Sequence, residues 1–565
     1  MIPDILVSLL LVLGVAFGLS RPFIGLFRLN PPESLVAGVG FSLIAAWLYC
    51  WAVFTWGAPL AAYGALPILS CIFLVVGRRG VKRLWADPAA QDLAVGQLIV
   101  TAWCVTCLSF ITSYSGGGWT GDFVEHWERS LYFLRAWPAP MFIDQYEMPA
   151  RPPFTNVLTA AFLQMTTAGY AHFQVIMTAL ASLTFLPVGL LASRFGGRSA
   201  IRVAAVLVMV SPLFVQNATF PWTKLQASYF ILLGIYFFLR VRDADEGMAP
   251  AAIGCALCLG AAVVTHYSAG PYVVVLAGAW IALGFKRRWQ RGFLRLTLLS
   301  AAAGACMLAP WFLWSIHRFG VHRTFLSNTT VSMMQRAPGN PLVNMVLNFR
   351  DSLIPIQLRG FHGTLFKQDS SWGALRDDFF LIYQLNPLLA LGCVGWLVVV
   401  VQAVKVARAS ARPDVVFWTA SLAAIVVLSF ATYGDRDHYG IGHICLQSTV
   451  LAGVAFLASR WGSLTRGWRA ALVTGCVFDA VFGIALQLGV EDFAFDRWLT
   501  PGRPFEAVFK SYSGVTQINL QWKIVAHVTY FADILPAPPA LVLALMGAIL
   551  WMALLRTRTV PGTPR

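Results

Sequence analysis

Apolar runs of about 16–24 residues recur along the whole 565-residue chain. Each is long enough, or nearly so, to cross a hydrocarbon layer of roughly 30 Å as a helix. Lipid offers no partner for backbone N–H and C=O groups, so only helices and closed barrels span it. The runs are continuously apolar and do not alternate with polar residues, which argues against a barrel. Fifteen fit: 5–19, 34–56, 58–77, 93–112, 171–193, 200–216, 224–240, 249–265, 268–285, 293–315, 383–404, 413–431, 443–459, 468–489 and 536–555. A content of 58% hydrophobic and 12% charged residues then excludes a soluble multidomain enzyme, a disordered chain and a secreted disulfide scaffold. The expected fold class is an all-α polytopic membrane protein with about 15 transmembrane helices.

A net charge of +16 would suggest nucleic acid in a soluble protein. Here the basic residues fall in every second link between runs: Arg21 and Arg28; Arg78, Arg79, Lys82 and Arg83; Arg194, Arg198 and Arg202; Arg240 and Arg242; Lys286 to Arg295; Lys405 to Arg412; Arg460 to Arg469; and Arg556 onward. Basic links face the cytoplasm, so the N-terminus lies outside and the C-terminus inside, and nucleic acid is not an expected partner. Asp4 with no basic residue before it, and Arg21 directly after the first run, fit an uncleaved helix better than a signal peptide. Arginine outnumbers lysine 34 to 7, which fits a GC-rich bacterial genome and hence a multi-pass protein of a bacterial plasma (inner) membrane.

This register leaves 113–170, 316–382, 432–442 and 490–535 outside, and all nine histidines fall in or beside outer segments. Chemistry is therefore expected on the periplasmic or extracellular side. The ten cysteines sit within the apolar runs, so no disulfide framework staples the loops, and the two CxxC pairs at Cys104/Cys107 and Cys255/Cys258 read as packing. The chain divides into extra N-terminal helices (1–92), a transmembrane module with the first outer loop (93–315), an outer loop (316–382), further helices (383–489), a second outer loop (490–535), and a last helix with a cytoplasmic tail (536–565).

The first outer loop carries Gly121-Asp122-Phe123-Val124-Glu125-His126, followed by a helical pattern that stops at Pro138. At 3.6 residues per turn Asp122, Glu125, His126 and Arg129 share one face, while Val124, Trp127, Leu131 and Leu134 share another. Such a helix is expected to lie in the membrane interface with its polar face toward a cavity. Asp122 with Glu125 three residues later also matches a capping box, and the two readings of Asp122 stay open. Glu128 points off the shared face and reads as a solvated or ion-paired residue. Further on, Arg151-Pro152-Pro153-Phe154 places an arginine at headgroup depth, where its planar fork suits phosphate, although interfacial snorkelling is an equal reading. The stretch 156–170 is too polar for a confident span.

In layout, 93–315 resembles the glycosyltransferase-C (GT-C) superfamily of polyprenyl-phosphate-sugar-dependent enzymes, especially protein mannosyltransferases and lipid A aminoarabinose transferase. Gly121–His126 stands at that family's acidic motif, and Arg151–Phe154 at its Lys-Pro-Pro-Leu type motif. The resemblance implies that Asp122 is the base activating an acceptor hydroxyl and that Arg151 holds the donor phosphate. The family commonly has adjacent acidic residues whereas here three positions separate them, so Asp122 and Glu125 both stand as candidate bases, with His126 beside them. It further implies a GT-C-like fold and a polyprenyl-phosphate-linked sugar as donor. The acceptor would be a glycan, lipid or protein, with inversion at the anomeric carbon.

Arg129 and Lys224 are further candidates for the donor phosphate, with snorkelling an equal reading for Lys224. The Thr265-His266-Tyr267-Ser268 corner offers His266 and Tyr267 to a substrate pocket. No cofactor is expected; Asp435, Asp437 and His438 are weak candidates for a divalent metal, since charges in a glycine-flanked loop are more often a solvated turn. Asp479, a carboxylate near the middle of a run, supports the main alternative, a proton-coupled transporter or lipid flippase. An outer-face glycan ligase or polymerase using diphosphate-linked donors is the other, with 316–382 as its basic loop.

Overall fold

The computed structural model describes residues 2–111, 114, 122–142, 146–243, 248–326, 340–353, 394–409, 413–432, 446–485 and 530–535. Some helices begin where the sequence offers a side-chain cap. Asn30 precedes α2 (Pro31–Thr55), following α1 (Ile2–Gly18); its side chain accepts from the Glu33 N–H at 3.0 Å while the Glu33 carboxylate accepts from the Asn30 N–H at 3.0 Å. After α3 (Ala65–Val76) and the short basic α4 (Arg78–Ala86), Asp87 caps α5 (Pro88–Leu108) by accepting from Ala89 and Ala90, each at 2.9 Å. The segment Leu60–Val76 meets α4 at 71°. That bend turns the basic Arg78, Arg79, Lys82 and Arg83 out of line with the apolar segment before them.

Within the first outer loop come α6 (Asp122–Phe133) and α7 (Phe154–Met165). The body of the protein follows as α8 (Tyr170–Ser182), α9 (Phe185–Gly196), α10 (Ser199–Val210), α11 (Pro212–Thr219), α12 (Lys224–Asp243), α13 (Ala249–Thr265), α14 (Gly270–Lys286) and α15 (Arg291–Phe325). The later described helices are α16 (Pro341–Leu353), α17 (Gly395–Ala409), α18 (Pro413–Thr432), α19 (Gln447–Arg460), α20 (Arg466–Ala485) and the single turn α21 (Phe531–Ile534). α10 and α11 are bent by 68° at Pro212, which has no N–H to continue the ladder.

Fourteen of the fifteen apolar runs are met wholly or partly by helix; the last, 536–555, lies outside the described residues. The chain is an all-α polytopic membrane protein. Among the described residues six helices are long and apolar enough to cross a membrane, or eight if each bent pair counts as one span. Several other runs, such as those of α1 and α13, give apolar helices of 17 residues or fewer, and parts of others lie outside the described residues.

α12 lies at the centre. Every side chain from Lys224 to Leu239 is buried, as expected of a helix apolar all round. The N-terminal helices join this core directly: the Tyr236 hydroxyl donates to Glu33 Oε1 at 2.6 Å, and Arg240 Nη1 lies 2.6 Å from Glu33 Oε2. In contrast, α14 and α15 expose Val274, Ile281, Leu294, Leu298 and Leu313, an apolar surface suited to lipid. α15 breaks at Gly320, whose φ of 82° belongs to the left-handed region glycine tolerates. Beyond the break the Ser315 and Thr324 hydroxyls meet at 2.9 Å, folding His322 and Arg323 back over the end of the helix.

Candidate active site

α6 is buried on every side from Phe123 to Ser130. Protein, and not lipid, covers its apolar face: Trp127 packs edge-on to Tyr170 at 5.6 Å, and Phe133 meets Phe54 at 4.8 Å. The expected interfacial helix is thus drawn into the body by aromatic side chains of α2 and α8. Glu128, read from sequence as solvated or ion-paired, is buried, which rules out the solvated reading. The helix ends at Phe133, ahead of the expected stop at Pro138, and Arg135 turns the chain at φ 59° while its guanidinium donates to the Ala58 carbonyl at 2.9 Å.

The chain then forms a two-stranded antiparallel pair, β1 (Met141–Phe142) and β2 (Tyr146–Glu147), with Met141 opposite Glu147 and Phe142 opposite Tyr146. A 3₁₀ turn, Met148–Ala150, leads to Arg151 in extended conformation and then to Pro152 and Pro153. The prolines suit this extended approach. α7 follows, wholly buried from Phe154 to Leu163 despite Thr155, Asn156 and Thr159. Its polarity was what weakened the 156–170 run in the sequence; these residues bond inside the protein.

The acidic helix and the Arg-Pro-Pro segment meet at Glu125. This carboxylate is fully buried, with Oε1 2.7 Å from Arg129 Nε and Oε2 3.2 Å from Arg151 Nε. A carboxylate removed from water is tolerated only when paired and hydrogen-bonded, and the two guanidinium groups supply both conditions. Together the three side chains carry one net positive charge. They differ in access: the Arg129 side chain is 1% exposed and that of Arg151 11%. Burial pulls the Arg129 guanidinium below the usual arginine range, and the adjacent Glu125 charge opposes that shift. Aromatic rings back both cations, Phe142 at 4.4 Å from Arg129 and Tyr146 at 5.5 Å from Arg151. From α15, Arg323 comes within 3.5 Å of Glu147.

The other expected residues distribute around this cluster. Asp122 opens α6, but its side chain lies outside the described residues. His126 faces Asn156 of α7, with Nδ1 and Oδ1 at 3.3 Å, while Asn156 Nδ2 donates to the His126 carbonyl at 2.9 Å. Tyr267 reaches the cluster, its hydroxyl donating to the Pro149 carbonyl at 3.1 Å. His266 caps its own turn, Nδ1 accepting from the Ser268 N–H at 3.1 Å. Lys224 is buried at the start of α12 with Nζ 3.9 Å from the Trp222 ring centre. Asp435, Asp437 and His438 lie outside the described residues. Among the described residues no group of three or more His, Cys, Asp or Glu is arranged to hold a metal. Asn156, Phe142, Glu147 and Trp311 were not singled out from sequence, and Arg323 only as one of the basic residues of 316–382. Asn156 alone left a signal there, as a carboxamide two residues after the motif.

No family model matches the chain, and no curated protein matches it. Among solved structures it is similar to ArnT from Cupriavidus metallidurans bound to undecaprenyl phosphate, at 14% identity over 78% of this chain and 88% of that one, with a TM-score of 0.45. The same protein in the apo state gives 16% identity over 81% and 76%, again with a TM-score of 0.45. The archaeal oligosaccharyltransferase AglB from Archaeoglobus fulgidus, in complex with an inhibitory peptide and a dolichol-phosphate, gives 12% identity over 74% and 59%, with a TM-score of 0.37.

Proposed function

We propose that this protein is an integral membrane glycosyltransferase that moves a sugar from a polyprenyl-phosphate carrier to a glycan, lipid or protein acceptor on the outer face of a bacterial plasma membrane. The observation that carries the reading is the 3.2 Å contact joining Arg151 to Glu125 of α6. It brings together two segments, 26 residues apart in sequence, that were each expected in one site for opposite tasks, acid–base work and phosphate binding. Of the two arginines bonded to Glu125, both buried, Arg151 is the more accessible, its side chain 11% exposed against 1% for Arg129, so it is the one better placed to meet an arriving phosphate.

Asp122, at the start of α6, takes the proton from the acceptor hydroxyl as that oxygen attacks the anomeric carbon. The bond from this carbon to the carrier phosphate breaks on the opposite face, giving inversion and releasing polyprenyl phosphate. Arg151 stabilises the charge that grows on the departing phosphate. Glu125, bonded to two guanidinium groups, is poorly disposed to act as the base, and its role here is to hold Arg151. This chemistry requires no divalent metal, because guanidinium charge meets the leaving phosphate.

Replacing Arg151 by Ala tests the assignment. The KM for the lipid-linked donor is expected to rise by about 10- to 100-fold, the size of a lost charge-assisted bond, with the acceptor KM unchanged. Steady-state kinetics with each substrate varied in turn reads the difference. An unchanged donor KM would sink the phosphate role.

A further inference from the structure

We infer that Arg129 and Tyr267 are positioning residues that fix the guanidinium of Arg151, and that neither touches a substrate. The inference rests on the phosphate role of Arg151 proposed above. It departs from the expectation that Arg129 binds the donor phosphate and Tyr267 lines the substrate pocket.

The segment around Arg151 is poor in backbone donors of its own. Pro149, Pro152 and Pro153 have no N–H, and the Met148 N–H is taken by the Pro140 carbonyl at 2.9 Å. Its carbonyls are instead taken by two side chains from other elements. Arg129 Nη2 donates to the Glu147 carbonyl at 3.1 Å, and Nη1 to those of Met148 at 3.0 Å and Arg151 at 3.4 Å. The Tyr267 hydroxyl donates to the Pro149 carbonyl at 3.1 Å and accepts from Trp311 Nε1 at 3.4 Å. Arg129 Nε meanwhile holds Glu125, the same carboxylate that Arg151 bonds.

One guanidinium therefore orders both the backbone that carries Arg151 and the anion that orients it. No other side chain has five donors in a planar fork suited to three carbonyls and a carboxylate at once. With these bonds made, Phe142 against one face and 1% of its side chain exposed, Arg129 has no surface left for a ligand. The Tyr267 hydroxyl is engaged as donor and as acceptor.

A double-mutant cycle with Tyr267→Phe and Arg151→Ala tests this, reading affinity for undecaprenyl phosphate and the donor KM on full-length protein in detergent. Tyr267→Phe removes one hydroxyl and keeps the ring, and is expected to weaken both readings about fivefold, with kcat falling alongside, while the acceptor KM holds. In the Arg151→Ala background the same change is expected to do nothing, because the residue it positions is gone. Arg129→Lys, which keeps the charge and loses the fork, is expected to follow the same pattern more strongly.

Equal weakening in both backgrounds would mean that Tyr267 acts on the ligand itself, and would overturn the inference. So would full donor affinity in Tyr267→Phe while Arg151→Ala loses it, a result that leaves the glycosyltransferase reading standing. Absence of any wild-type binding or turnover that Arg151→Ala diminishes would remove that reading and this inference together.

Discussion

Asp122→Asn is expected to lower sugar transfer by about 10²- to 10⁴-fold in kcat, the usual contribution of a positioned general base. The substitution separates the two readings of this position. Asparagine caps a helix start about as well as aspartate, so a capping role survives the change and a proton-accepting role does not. Thermal unfolding of the purified variant should match wild type while turnover collapses. Retained activity would return Asp122 to its capping role and leave the base to be sought elsewhere on α6.

Glu125→Ala is expected to be the most destabilising single change in the site. It removes the buried carboxylate that bonds both Arg129 and Arg151. Removing one partner of a buried pair costs about 3–5 kcal/mol, because the remaining charge is left unmatched. A clear fall in the unfolding temperature, with loss of activity, is the expected result. Pairing Glu125→Gln with Arg129→Met removes opposite charges together and should recover part of the stability without restoring turnover, since Arg151 then loses its orienting bonds. An unfolding temperature unchanged by Glu125→Ala would contradict the view that this carboxylate holds the cluster.

Much of the architecture could be read before any coordinates, because lipid imposes a simple rule on backbone groups. The apolar runs locate most of the described helices from α1 to α20, with α4, α6, α7 and α16 outside them. Where a run is broken, the cause is local and partly visible: four cations after Gly77 turn α4 away, and Pro212 bends the chain between α10 and α11.

At the site, periodicity put Glu125 and Arg129 on one face of α6, and the motif singled out Arg151. Their mutual contact through the Glu125 carboxylate was not legible. It depends on the β1–β2 pair turning the chain back on itself, and two-residue strands leave no pattern in sequence. The same holds for the carbonyls of Glu147, Met148 and Pro149, which any sequence presents equally. The burial of α6 was missed for a related reason. Its amphipathic pattern reads the same whether lipid or aromatic side chains of α2 and α8 cover the apolar face.

Donor turnover tests the central claim most directly. Purified protein in nanodiscs would be offered a panel of polyprenyl-phosphate and polyprenyl-diphosphate sugars with candidate acceptors, and the lipid products followed by mass spectrometry for wild type and Asp122→Asn. The account predicts release of polyprenyl phosphate by wild type alone, from one of the monophosphate donors. Turnover confined to diphosphate-linked glycans would contradict it in favour of a ligase or polymerase. No turnover with any donor would contradict it in favour of transport, with the buried Asp479 of α20 as the first residue to examine.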